Sequence, residues 1–167
     1  MDERTKAKLD ALLQGYRERI DGRAAAAAKA ATDDRAVRDR FVALRDEVIE
    51  PTMREVGEYL KAEGHDYEIR SLETRDVGAG RNAEPSIALM IYPQGYSRAT
   101  LDADHTPTVT FRAGDAPGRL RSHLVKRLPG GTAADGGRVY DLEAVTPERV
   151  RSEIMEVLEA ALGRRGK

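Results

Sequence analysis

The sequence predicts an α+β protein, in which a long helical segment precedes a mainly antiparallel sheet and a final helix. Three changes of pattern lead to this prediction. Apolar residues recur with a seven-residue period in the first 50 residues, alternate with polar residues from Asp66, and return to helical spacing after Thr146. Because the predicted strands are grouped together instead of alternating with helices, a doubly wound sheet is not expected.

The N-terminal segment carries apolar residues at alternating steps of three and four, the a/d pattern of a coiled coil. The pattern passes through 32–34, Thr-Asp-Asp, without a change of phase, although these residues are also typical of a helix start. One interpretation is a single helix over 3–50, and the alternative is a helical hairpin broken near Asp33. The unbroken phase favours the single helix. The stripe consists of Leu9, Leu13, Tyr16, Ile20, Ala27, Ala30, Val37, Phe41, Leu44 and Val48.

Pro51 predicts a kink or a restart of the helix, because proline removes a backbone hydrogen bond and clashes with the preceding turn. The apolar stripe that ends at Val48 and the stripe that begins at Ile49 are offset by one residue, or about 100° around a helix. The second stripe is therefore expected to face a new direction. Three of its residues should be buried on the sheet: Met53, Val56 and Leu60.

Four or five strands are predicted in the second half of the chain. Two-residue alternation or short apolar runs place them at 66–73, 86–92, 106–114, 119–128 and 137–145, with a loop over 75–85. The apolar run of residues 86–92 predicts an interior strand. The short turn-forming joins indicate a meander.

A final helix is predicted to begin after Thr146, an N-cap residue followed by Pro147 at the first helical position. Gly163 should end it, leaving a basic tail at 164–167. The expected buried stripe is Val150, Ile154, Val157, Leu158, Ala161 and Leu162.

Composition limits the classes of function. Lys and Arg total 28 against 29 Asp and Glu, so the chain lacks the overall positive charge of many nucleic-acid-binding proteins. With no cysteine there are no disulfides, thiolate metal sites or cysteine nucleophiles, which suits a reducing cytoplasm. No apolar run approaches the roughly 18 residues of a membrane span. We expect a cytoplasmic protein with no membrane partner and no cofactor.

Two segments offer candidate chemistry. The run Arg119–Leu128 holds no acid and contributes four basic residues that could contact phosphates or an acidic partner. They are Arg119, Arg121, Lys126 and Arg127. The run Asp102–His105 places two carboxylates beside an imidazole, but it lacks the spacing of a calcium loop, so no metal site is predicted.

The arm at 1–50 is, in this interpretation, a helix with more apolar surface than the core at 51–163 needs. We therefore expect a non-enzymatic adaptor that self-associates or binds a helical protein partner through Leu9, Leu13, Tyr16, Ile20 and Ala27. The first alternative is a nucleic-acid-associated protein that uses the basic residues of 119–127. The second is a small enzyme or ligand-binding protein with a pocket between sheet and helices.

The charges that flank the stripe bear on how two copies would pair. In a parallel homodimer Asp33 would face Arg38, a favourable pair, but Arg40 would face Arg45, a repulsive one. This pattern does not specify a parallel pair. The small-residue segment Ala24–Ala31 would let another helix approach closely, so an antiparallel partner, or the chain's own second helix, fits better.

Overall fold

A single long helix opens the chain. In the computed structural model, which describes residues 2–73, 75–76, 82–114 and 118–163, helix α1 runs over Glu3–Leu44 and passes Asp33 without a break. The Asp2 carboxylate accepts a 2.6 Å hydrogen bond from the Thr5 amide at its start, and this bond lowers the pKa of Asp2. The single-helix prediction is confirmed, and the hairpin alternative is wrong.

A π-helical turn, Arg45–Ile49, joins α1 to helix α2, Glu50–Ala62. The Glu50 amide donates to the Arg45 carbonyl, five residues back, where an α-helix would use the carbonyl four residues back. Pro51 lies in the first turn of α2, and the backbone before it is already helical, so its missing N–H removes one helical hydrogen bond next to the π-turn. Instead of the predicted kink or restart at Pro51, the helix continues through a π-turn just before this residue.

The π-turn corrects the predicted stripe at two positions. Leu44 and Val48 are only partly buried, whereas Arg45 is 5% exposed and Ile49 is 0% exposed. Because this turn holds one residue more than an α-helical turn, the inward-facing position moves one residue along the chain. The two stripes therefore contribute to one core, which includes Phe41, Ile49 and Met53, and the expectation that the second stripe faces a new direction is wrong.

The strands form a five-stranded antiparallel meander and a separate two-stranded pair. The order in the main sheet is β1-β4-β5-β6-β7, which makes β4 an interior strand as predicted. The pair β2-β3 lies within the predicted loop at 75–85, of which 77–81 is outside the described residues. The strands are β1 Asp66–Leu72, β2 Arg75–Asp76, β3 Asn82–Ala83, β4 Ser86–Tyr92, β5 Thr108–Ala113, β6 Arg119–Val125 and β7 Val139–Asp141.

The last two strands are shorter than predicted. Strand β6 ends at Val125, which pairs with Thr108, the first residue of β5. Pro107 precedes Thr108 and has no amide hydrogen with which to extend the ladder. Strand β7 has only three residues, because a 3₁₀ turn at Leu142–Ala144 follows it directly.

Helices α2 and α3, Pro147–Leu162, contact the same sheet and each other. Thr146 caps α3 as predicted, since its side chain accepts a 3.3 Å hydrogen bond from the Arg149 amide. Leu162, predicted to be buried, is exposed because α3 ends there. The core that these helices share with the sheet includes Phe41, Ile49, Met53, Leu60, Ile87, Leu89, Ile91, Val109, Phe111, Leu120, Leu124, Val150, Ile154 and Val157, with Val56 and Leu158 packed against it.

A buried carboxylate fixes α3 to the edge of the sheet. Glu153 accepts hydrogen bonds from the Ser122 hydroxyl at 3.1 Å, from Arg138 at 3.0 Å and from the Tyr140 hydroxyl. Arg138 also contacts Glu156 at 2.7 Å, and the two carboxylates raise the pKa of its guanidinium. The side chains of Arg138 and Tyr140 therefore attach strand β7 and the segment before it to α3. Strand β7 is also attached to β6 by the hydrogen bonds between the two strands.

The chain divides into two compact units, Met1–Ala36 and Val37–Lys167. The second unit contains the last turns of α1, since Phe41 belongs to its core. This division lies earlier than the predicted boundary between an arm at 1–50 and a core at 51–163. The predicted tail at 164–167 is outside the described residues.

Candidate interaction surfaces

The first candidate surface is the exposed apolar stripe of α1, which we call the arm stripe and define by Leu9, Leu12, Leu13, Tyr16 and Ile20. These five side chains are between 43% and 62% exposed. They make up half of the exposed large apolar side chains in the described part of the chain. Single exposed apolar residues are ordinary on a protein surface, but five within about three helical turns form one candidate interaction surface.

The predicted stripe and the observed one agree at four large residues. Ala27 is exposed as well but contributes little apolar area. Leu12 is the residue that the sequence interpretation missed, because it flanks the a/d stripe. Its place beside Leu13 on the helix widens the apolar face on one side.

Charged residues border the arm stripe. Asp10 and Arg17 each follow a core position of the heptad pattern, one after Leu9 and the other after Tyr16. Both charged side chains are exposed. A partner helix lying on the stripe would therefore meet one acid and one base on the same flank.

The second candidate surface is the basic segment of β6 and the residues that follow it. Arg119 pairs with Asp141 at 3.2 Å, Lys126 with Glu156 at 2.6 Å, and Arg127 with Asp135 at 2.6 Å. These partners offset much of the positive charge that the sequence suggested. Lys126 also points toward α3, so the four basic residues do not form one continuous row.

One arginine that the sequence interpretation missed lies next to this segment. Arg112 on β5 is directly opposite Arg121 on β6, on the sheet face away from the helices. Like charges in directly opposite positions are unfavourable. Arg112 has no ion-pair partner among the described residues, whereas Arg121 has a further interaction of its own. The alternation of residues 108–112 puts Arg112 on this face, but only the strand register places it opposite Arg121.

A cleft of about 540 Å³ lies on the same open sheet face, and its lining includes Arg70, Arg98, Thr110 and His123. Asp102 and Asp104, from the run Asp102–His105, form another part of the lining. The two end residues of this run bind each other, with 2.8 Å between the His105 Nδ1 atom and an Asp102 oxygen. This contact lowers the pKa of the Asp102 carboxyl. A second cleft of about 590 Å³ lies between residues 126–133 and the Ala160–Ala161 turn of α3.

No cluster of three or more His, Asp and Glu residues in the described ranges has the arrangement of a metal site. None of the described helices is both long and apolar enough to cross a membrane. Comparison with protein-family models, with curated proteins and with solved structures finds no match to the chain. The surfaces themselves are therefore the basis for a functional proposal.

Proposed function

We propose that this chain is a non-enzymatic cytoplasmic interaction module that self-associates through the arm stripe of α1. The observation that supports the proposal is the exposure of five large apolar side chains within Leu9–Ile20. Their burial against a second copy would remove that surface from water, which is the main driving force of protein association. The near-neutral balance of charged residues adds little long-range repulsion between copies.

Length also supports helix pairing as the mode of association. The segment that carries the stripe belongs to a helix of 42 residues. A helix owes most of its stability in water to the packing of its apolar face. Pairing would supply that packing to the part of α1 that lies outside the Val37–Lys167 unit.

Sedimentation of the full-length chain over a range of concentrations tests the proposal. We expect the wild-type chain to sediment as a dimer or larger assembly, and Leu13→Glu to sediment as a monomer, because it places a carboxylate inside the stripe. The matched control is Ala11→Glu, which adds the same charge about 200° away around the helix. It should associate as the wild type does.

Circular dichroism and urea unfolding of both variants establish that the Val37–Lys167 unit remains folded. The proposal fails if the wild-type chain is monomeric at every concentration. It fails equally if Leu13→Glu and Ala11→Glu reduce association to the same extent.

A second candidate function is nucleic-acid binding on the open sheet face, the first of the two alternatives above. The specific observation in its favour is Arg112, which lies on the open sheet face and has no ion-pair partner among the described residues, so it could contact a phosphate. Single-stranded RNA and DNA should then bind more weakly as salt rises, and Arg112→Gln should reduce both the affinity and the salt dependence. Arg54→Gln, on α2, is the control. No binding of the wild-type chain at low salt would contradict this function.

A further inference from the structure

We propose that two copies of the chain pair antiparallel along the arm stripe, with Leu9 opposite Ile20 of the second copy and Leu13 opposite Tyr16 of the second copy. The proposal rests on the self-association proposed above and adds its partner, direction and register. It concerns only the N-terminal part of α1.

The apolar residues select this register. In an antiparallel pair of helices, an a position of one helix lies opposite a d position of the other. Leu9 and Tyr16 are d positions, and Leu13 and Ile20 are a positions. In the proposed register all four meet a large apolar residue, and each of them is exposed in the single chain.

The flanking charges select the same register. In antiparallel pairs the e positions, which here follow the d positions Leu9 and Tyr16, face each other across the interface. Asp10 would then face Arg17 of the second copy, and the two-fold symmetry would form this ion pair twice. In a parallel pair, Arg17 would face Leu12 and Asp10 would face Thr5, so no ion pair would form on this flank.

The neighbouring antiparallel register is disfavoured by the same residues. A shift of one heptad toward the C-terminus would place Leu13 opposite Arg23 of the second copy. It would also bring Arg17 against its own symmetry mate. A buried arginine and a like-charge pair both oppose association.

Charge reversal tests the flank. Asp10→Arg and Arg17→Asp, each alone, create two like-charge pairs and should weaken association by about five- to tenfold at low salt. The double variant, Asp10→Arg with Arg17→Asp, restores opposite charges and should recover most of the wild-type affinity. If the effects of the two single changes simply add in the double variant, the two residues do not meet and the register is wrong.

Cysteine crosslinking tests the direction, and the chain has no native cysteine to interfere. The Leu9→Cys and Ile20→Cys chains carry tags of different length, so that their crosslinked products can be told apart. Sedimentation first shows that each variant associates. The two kinds of chain are then mixed, re-equilibrated and treated with a short bifunctional maleimide. The antiparallel register predicts crosslinks between the two kinds of chain. It predicts none within either kind, since identical positions would lie about 16 Å apart along the axis.

The outcomes separate the two proposals. A monomeric wild-type chain contradicts self-association itself. A dimer in which Leu9→Cys chains crosslink only to each other, and Ile20→Cys chains only to each other, supports self-association but overturns the antiparallel arrangement. A dimer that gives no crosslink in the mixture overturns the register.

Discussion

The hydroxyl of Ser122 on β6 donates a 3.1 Å hydrogen bond to the carboxylate of Glu153 on α3, which is 1% exposed. Three side chains from two strands and the segment between them converge on this carboxylate, so its burial is compensated by hydrogen bonds and one ion pair. The sheet edge and the last helix therefore share one polar contact inside the core.

Replacing Glu153 with Ala should lower the free energy of unfolding by about 3 kcal/mol, because it leaves the Ser122 hydroxyl and Tyr140 without their acceptor in a buried site. Urea unfolding measures the change as a lower midpoint with an unchanged slope. Glu159→Ala is the control, since it makes the same substitution at an exposed position of α3. Equal losses in the two variants would contradict a special role for Glu153.

The Glu156 carboxyl should make stability depend on pH. Its hydrogen bonds from Lys126 and Arg138 hold its pKa below the ordinary value of 4.5. A carboxyl whose pKa is lower in the folded chain stabilises the fold fully above its unfolded pKa, and this contribution is lost as the pH falls through the folded pKa. The difference in unfolding free energy between wild type and Glu156→Gln should therefore be largest near neutral pH and shrink below about pH 4.5.

The same measurement in a Lys126→Met background checks the cause. Without Lys126, the pH dependence of the Glu156→Gln difference should be smaller. A difference that stays constant from neutral to acidic pH in the wild-type background would contradict the prediction.

Substitution by alanine should lower stability at Gly57 and raise it at Gly22. A Cβ atom at Gly57 would lie 2.5 Å from the ring of Tyr67, so the ring must move, and we expect a loss of about 1–2 kcal/mol in unfolding free energy. Gly22 in α1 has no atom within 4 Å of such a Cβ, and Ala there should stabilise the helix by about 1 kcal/mol. Urea unfolding measures the first change, and the thermal loss of helical circular dichroism measures the second. A stabilised Gly57→Ala would show that Tyr67 moves without cost.

Arg45 should tolerate methionine better than alanine. Its Nη1 atom is buried without a hydrogen-bond partner among the described residues, and its partners Asp46 and Glu73 are themselves exposed enough to stay hydrated. Arg45→Met keeps most of the volume and removes the unpaired donor, so stability should change by less than about 1 kcal/mol or increase. Arg45→Ala leaves a cavity and should cost about 2 kcal/mol or more. Urea midpoints that fall equally in both variants would contradict this view.

The sequence predicted the elements that depend on local periodicity. The a/d steps identified α1, and the alternation around Val109 and Phe111 identified a strand with one buried face. Met53 and Leu60 are buried as predicted, because the spacing of the apolar residues that begin at Ile49 identifies the inner face of α2. Val56 is only partly buried.

The features that it missed depend on pairings between distant residues. A buried Glu153 cannot be inferred from the pattern of α3, since its partners come from β6, β7 and the segment that precedes β7. The burial of Arg45 depends on the extra residue in a π-turn; the sequence shows the one-residue offset of the apolar stripes but not the turn that causes it. Of the candidate surfaces, the arm stripe was visible in the sequence, but the position of Arg112 opposite Arg121 required the strand register.

The side-chain contacts of β7 have a consequence for how the fold opens. This edge strand has only three residue pairs with β6, whereas Arg138 just before it and Tyr140 within it are bound to carboxylates of α3. Strand and helix should therefore separate from the sheet in one cooperative step, and the amides of β7 should exchange with solvent at the rate set by α3 rather than by fraying of the sheet edge. Strand β7 and helix α3 should therefore form one unit of local unfolding.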